Sequence, residues 1–300
     1  MSGRDIGASV RQRLLNRARA EGRPFQELLQ YFAMERFLYR LAKSAFAELF
    51  VLKGALLLTA WKAPVTRPTI DIDLAGKTSN ELDHIRSVIS ELCESTTEAD
   101  GLEFDPASIE VQRIQEDAEY EGVRVRFQGM LARARIPMQI DIGFGDVIVP
   151  KPVEVEYPAM LEFPPPVLRC YPKETVVAEK LEALTVLGML NSRIKDYYDM
   201  ELLARLYPFQ GAVLAQATRS TFRHRGTSVE AKPVGLTDAS PSDPARAAQW
   251  RAFVRRSRLD AGWQLEQIVQ HVRLFAAEPL SAVAENRPFA LQWRPGGPWE

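Results

Sequence analysis

The chain has 300 residues, 46% hydrophobic and 26% charged, the composition of a soluble globular protein with room for one or two domains. A formal net charge of -1 excludes a global basic field, so any nucleic-acid contact has to come from a local patch. Cys93 and Cys170 are too few for a disulfide framework and lack metal-site spacing, and the stretch from Ala45 to Trp61 carries Glu48, Lys53 and Gly54. Reduced thiols, no membrane span, no targeting segment and a cytoplasmic location are therefore expected.

Residues 5–43 read as two helices broken at Gly22-Arg23-Pro24, with Val10, Leu14 and Ala18 and then Phe25, Leu28, Leu29 and Phe32 at helical spacing. Phe50 to Lys53 reads as a short buried strand, Ala55 to Trp61 as a helix opening after Gly54, Pro64 to Pro68 as a loop and Ile70 to Leu74 as a strand. Leu82 to Cys93 is predicted helical. Ile109-Val111, Val123-Val125-Phe127 and Ile136-Met138-Ile140-Ile142 alternate with period two, the mark of strands in a mixed or antiparallel sheet. Seven prolines between 150 and 172 suggest a connector, and the pattern beyond Pro172 is helical. Residues 226–244 read as a long loop, Asp243-Pro244 as an N-cap with proline at N1, and Leu265, Ile268, Val272 and Phe275 as the stripe of a last helix. The tail after Asn286 is expected to fray. The expected architecture is α+β and bilobed. A first lobe, 1–160, has a helical lead-in over 5–43 and a sheet core over 50–156. A helical lobe, 161–300, follows, with a cleft between the two.

Asp71 and Asp73 are two apart on a predicted strand, so they share a face while Ile70, Ile72 and Leu74 share the other. Neighbouring carboxylates repel unless a cation sits between them, and hard oxygen ligands of this kind suit Mg²⁺ with substrate phosphates. Two acids on a solvated strand face is the plain alternative. Lys53-Gly54-Ala55 ahead of them offers a turn whose backbone N–H groups face an anion, with Ala55 small enough for a phosphate to approach. Asp141, in Ile140-Asp141-Ile142, has the same alternation and is the favoured third acid; Asp146 is its rival, though Gly143 and Gly145 suggest the strand has ended there. Such a third acid would bridge a metal and take a hydroxyl proton. Lys180, between Glu179 and Glu182, can hold a triphosphate or simply pair with a helix neighbour. Asp196 and Asp199 share a helix face. Arg67 can touch phosphate, and Thr69 shares the face of Asp71, where a phosphorylated hydroxyl would repel an incoming nucleotide.

Several blocks together are similar to a known family. Phe50-Val51-Leu52-Lys53-Gly54-Ala55, Arg67-Pro68-Thr69-Ile70-Asp71-Ile72-Asp73-Leu74, Glu179-Lys180-Leu181-Glu182-Ala183 and Arg193-Ile194-Lys195-Asp196-Tyr197-Tyr198-Asp199 occur in that order. Glu35-Arg36-Phe37-Leu38-Tyr39-Arg40-Leu41 and Thr221-Phe222-Arg223-His224-Arg225-Gly226-Thr227 add to them. The chain resembles the AbiEii-type nucleotidyltransferase toxins, a branch of the DNA polymerase beta-like superfamily. The resemblance implies a nucleotidyltransferase lobe and a helical lobe, an NTP substrate, one or two Mg²⁺ ions, and a separately encoded antitoxin. It implies transfer of a nucleotide to an RNA acceptor, most simply the 3′ end of tRNA. Asp71 and Asp73 would bind metal, Asp141 would take the third-acid role, Lys180 and Lys195 would serve the nucleotide, and Asp196 would complete the site. One departure stands out: the superfamily turn usually continues from glycine to serine or glycine, and here it is Gly54-Ala55. A missing hydroxyl removes a hydrogen bond of roughly 1 kcal/mol.

An RNA acceptor needs basic surface, and two arginine clusters offer it: Arg219, Arg223, His224 and Arg225, then Arg251, Arg255, Arg256 and Arg258 with Trp250 and Trp263 for base stacking. Solvated faces balanced by acids elsewhere are the alternative. Two rival functions are a small-molecule nucleotidyltransferase, which needs an acidic acceptor pocket, and a non-catalytic nucleotide-binding module, which has no need of paired acids.

Overall fold

The computed structural model describes residues 6–63, 67–117, 120–188, 193–259, 262 and 264–300. Contacts divide the chain into two compact units, Met1–Asp146 with Val153–Cys170, and Val147–Pro152 with Tyr171–Glu300. The class is α+β, with a mixed sheet of seven strands among the described residues and helices in both units. No helix among the described residues is long and apolar enough to cross a membrane.

In the first unit, α1 (Ile6–Glu21) buries one stripe of Val10, Leu14 and Ala18. α2 (Phe25–Lys43) is different, because every residue from Leu28 to Leu41 is buried. A helix with no wet face must satisfy its polar side chains internally. Arg36 and Arg40 converge on Asp100, with Arg36 Nε 3.0 Å and Arg40 Nη1 2.9 Å from its Oδ2. They also donate to the carbonyls of Pro164 and Leu102. Asp100 is thereby held below the usual carboxylate range despite its burial. Gln30, lower on the same helix, donates to the carbonyls of Ile70 and Pro137. Removal of one partner from such a group leaves a charge buried and unpaired.

The sheet runs β3-β4-β5-β2-β1-β7-β6. β3 (Leu102–Asp117), β4 (Tyr120–Leu131) and β5 (Ala134–Phe144) form an antiparallel meander whose inward residues Val123, Val125, Phe127, Met138, Ile140 and Ile142 are buried. β5 lies parallel to β2 (Ile72–Gly76), and β2 lies antiparallel to β1 (Phe50–Lys53). The expected strand at 70–74 thus begins two residues later, because β1 is only four residues long and its register with β2 ends at Lys53↔Asp73. Ile70 falls outside the ladder, and 71% of it is exposed instead of joining the core. The proline-rich run also differs from expectation: β6 (Val153–Glu156) and β7 (Val167–Cys170) fit between its prolines, and β7 pairs parallel with β1. α3 (Leu56–Ala60) follows β1, and α4 (Leu82–Glu94) packs on β3 and α2. Cys93 and Cys170 are free and buried, and burial pushes both thiols up to about 12, which leaves them inert as nucleophiles.

The second unit is built on α5 (Lys173–Leu187), α6 (Ile194–Leu206), α7 (Gly211–His224), α8 (Ala239–Ser242), α9 (Pro244–Ser257) and α10 (Leu265–Ala284). Asp243 caps α9 by accepting from Ala245 N, with Pro244 at the first position, and Leu265, Ile268, Val272 and Phe275 are the buried stripe of α10. The expected loop at 226–244 contains a 3-10 turn at 234–236 and the single turn of α8. The tail does not fray. β9 (Gln292–Trp293) pairs with β8 (Phe209–Gln210), Trp293 Nε1 donates to the Ala204 carbonyl at 2.7 Å, and Trp299 stacks on Phe275. The two tryptophans bury enough aromatic surface to hold an otherwise Gly/Pro-rich end.

Glu35 supplies a pH test of the α2 packing. It is fully buried, and burial pushes its carboxyl up to about 7 although Met160 N donates to it and Arg36 lies 3.6 Å away. The folded chain therefore holds this proton more tightly than the unfolded chain, whose value lies near 4.5. The stability from this group is greatest below that value and falls as pH rises towards 7. Glu35→Gln keeps an acceptor for Met160 and removes the titration. Its unfolding free energy relative to wild type is expected to rise by a few kcal/mol between about pH 5 and pH 8 in urea titrations. Parallel profiles for the two proteins would refute the assignment.

Candidate active site

The register of three strands assembles the site. Lys53 on β1 lies opposite Asp73 on β2, and Asp73 lies opposite Asp141 on β5. Asp71 comes from the residue before β2. Ligand oxygens of Asp71, Asp73 and Asp141 all lie within 4.8 Å of one another. Asp141 is buried, while Asp71 and Asp73 are half-buried. At an effective dielectric of about 20, two unit charges at this spacing repel by roughly 3 kcal/mol. The arrangement needs positive charge.

Part of that charge is Arg124. It sits opposite Asp141 on β4, and its Nε and Nη2 donate to the two carboxylate oxygens, each at 2.7 Å. This is the bidentate geometry in which guanidinium is most effective. Gln139 also donates to Asp141 Oδ2 at 3.4 Å, and the Thr69 hydroxyl donates to Asp71 Oδ1. Arg124 thereby offsets the charge of Asp141. Asp141 Oδ1 accepts from Arg124 Nε and keeps a second lone pair, and an all-oxygen donor set of this size suits a small hard dication. The chemistry of these residues therefore fits Mg²⁺.

Gly54 has a role that sequence reasoning assigned elsewhere. The expectation was a phosphate-facing turn at the start of a helix. The helix, α3, has only five residues, so its dipole is small. Gly54 itself has φ +71°, and a Cβ placed there would lie 1.8 Å from Asp73 Oδ2. The missing side chain is the space that Asp73 occupies. Ala55 is buried, and Lys53 Nζ lies 3.0 Å from Asp146 Oδ2. Asp146, the rival third acid, is thus the partner of Lys53, and the cluster contains Asp141. Arg67 is half-buried in the segment ahead of β2.

In the helical unit, Lys180 Nζ lies 2.6 Å from Asp196 Oδ1 and 3.0 Å from Asp199 Oδ2, so the helix-neighbour alternative gives way to partners on α6. Lys195 is exposed. Glu182 accepts from Arg225 and Thr227, which makes Arg225 part of a packed polar group joining α5 to the end of α7. Arg223, Arg255 and Arg256 are exposed, as are His224, Arg251 and Arg258, while Arg219 is half-buried. Trp250 is buried with its ring 5.5 Å from Phe253, so it is core and no stacking platform. Trp263 lies outside the described residues. The residue that sequence reasoning missed is Arg124; its signal was a charged residue in phase between Val123 and Val125.

Comparison with known proteins adds a family. The profile described as "Nucleotidyl transferase AbiEii toxin, Type IV TA system" matches residues 36–271. None of the curated proteins matches the chain. Two crystal structures from Helicobacter pylori are similar: JHP933, at 16% identity and TM-score 0.47 over 87% of this chain and 93% of that one, and a structure provisionally named as a nucleotidyltransferase, at 16% identity and TM-score 0.46 over 87% and 96%.

Gly54→Ala is expected to lower the unfolding free energy by about 1–3 kcal/mol, because both the positive φ and the Asp73 carboxylate oppose a methyl group. Urea denaturation measures it; an unchanged midpoint would mean that Asp73 does not depend on the gap.

Proposed function

The chain belongs to the AbiEii nucleotidyl transferase toxin family of a type IV toxin–antitoxin system, and we propose that it transfers a nucleotide from an NTP to the 3′ hydroxyl of an RNA acceptor, most simply tRNA. The observation that carries this reading is the cluster of Asp71, Asp73 and Asp141, whose ligand oxygens all lie within 4.8 Å of one another. These carboxylates would hold Mg²⁺, which would supply charge neutralisation to the triphosphate and the attacking oxygen. The chain's own groups do the rest by positioning. Gly54 lets Asp73 reach its place, Thr69 orients Asp71, and Arg124 orients Asp141. Asp141 receives the hydroxyl proton at a lone pair that Arg124 does not use. The 3′ oxygen forms its bond to the α-phosphorus as the bond to pyrophosphate breaks. We assign Lys180 to the nucleotide phosphates and Asp196 to holding that ammonium, roles that rest on the family resemblance and on their 2.6 Å contact. Lys53, Arg67 and Lys195 are further phosphate candidates, and Arg223, Arg255 and Arg256 are candidates for the RNA backbone. A separately encoded antitoxin is the expected protein partner.

Incubation of purified protein with total tRNA, Mg²⁺ and each labelled NTP in turn tests the reading. Label on tRNA from one triphosphate is expected, reduced by about 10²–10³-fold in Asp71→Ala or Asp73→Ala. Both side chains are half-buried at the surface, so circular dichroism should show the variants folded. No label from any triphosphate would refute RNA nucleotidyl transfer.

A further inference from the structure

A groove of about 430 Å³ is bounded by the start of α2, the segment 68–70 just ahead of Asp71, and β4 and β5 as far as Gln139. Its walls are partly apolar: Pro68, Ile70, Pro137 and Met138 contribute. Ile70, at 71% exposure, is the most exposed large apolar residue among those described. An isoleucine left in water immediately before Asp71 has no explanation in core packing. Arg126, Gln26 and Gln128 bring exposed polar groups to the same groove.

Two hydrogen-bond paths join the groove to the carboxylates. Thr69 bonds Asp71 on one side. On the other, Arg126 Nε donates to Gln139 Oε1 at 3.1 Å, and Gln139 donates to Asp141. The sheet order sets direction: β4-β5-β2-β1 puts the groove on the Asp141 side of Asp73, and the Gly54 turn on the opposite side. Whatever fills the groove reaches Gln139, two residues before the third acid on β5, and lies away from the β1 turn.

We infer that this groove seats the terminal nucleoside of the RNA acceptor, an inference that rests on the transferase reading above. A base lies flat on Ile70 and Pro137. The amides of Gln26 and Gln128 meet its hydrogen-bonding edge, and Arg126 meets the adjoining phosphate. The volume is that of a small-ligand site. The 3′ hydroxyl of a nucleoside held there points along the Thr69–Gln139 rim to Asp141.

The test is fluorescence anisotropy with a short single-stranded oligoribonucleotide bearing a free 3′ hydroxyl, compared with binding of a non-hydrolysable NTP analogue. Wild type, Ile70→Ser and Gln128→Ala are measured; both positions are exposed, so the variants should fold. Oligoribonucleotide affinity is expected to fall about tenfold in Ile70→Ser and several-fold in Gln128→Ala, with analogue affinity unchanged within about twofold. Undiminished oligoribonucleotide binding overturns the inference. So does a matching loss for the analogue, which would give the groove to the nucleotide. Binding that depends on Ile70 in a protein that labels no RNA would remove the transferase reading and leave the groove as an RNA site.

Discussion

Repulsion among three carboxylates is the constraint on which the sheet unit turns. No single strand could impose it. Asp71 and Asp73 are near one another by sequence, but Asp141 reaches them only because β5 lies parallel to β2 in a register that pairs Asp73 with Asp141. A one-residue slip of that register would turn Asp141 into the core and Ile140 or Ile142 out of it. The buried alternation of Ile140 and Ile142 therefore holds the acid in place. Arg124 does the same from β4: Val123 and Val125 are buried, so the arginine between them must face the acids.

Support for Asp71 comes from behind. It precedes β2 and gains nothing from the β1 ladder. The buried helix α2 compensates. Gln30 donates to the Ile70 carbonyl and to Pro137 on β5, and the Tyr31 hydroxyl accepts from Thr69 N at 3.2 Å. The same helix is tied to Asp100 through Arg36 and Arg40, so its position is set by charge-assisted bonds as well as by apolar packing. A helix that looks like a structural lead-in thus positions the loop that carries the first acid.

Local patterns were legible in the sequence, and long-range pairings were not. The two leading helices, the four-residue β1, the meander and the α9 cap follow from periodicity and capping, which act over a few residues. β7 was hidden because prolines bracket it, and the ordering of the tail was hidden because Trp293 and Trp299 find partners about 90 and 24 residues away, at Ala204 and Phe275. At the site, the identity of the acids was legible from alternation. The part of Gly54 was not, since the atom that excludes a Cβ belongs to Asp73 on another strand. Arg225 looked like surface charge for the same reason: Glu182, its partner, lies on a different helix.

Three acidic groups in this chain solve their electrostatics in two ways. Lys53 and Asp146 cancel one another at 3.0 Å, and Lys180 draws two aspartates to itself. Their demand for countercharge is met largely by their own members. In the cluster of Asp71, Asp73 and Asp141, Arg124 turns Nε and Nη2 to the two oxygens of Asp141. Asp71 is served by a neutral hydroxyl, which orients a carboxylate without offsetting its charge. A folded chain tolerates three carboxylates this close where a cation can enter, and half-burial of Asp71 and Asp73 leaves the entry open.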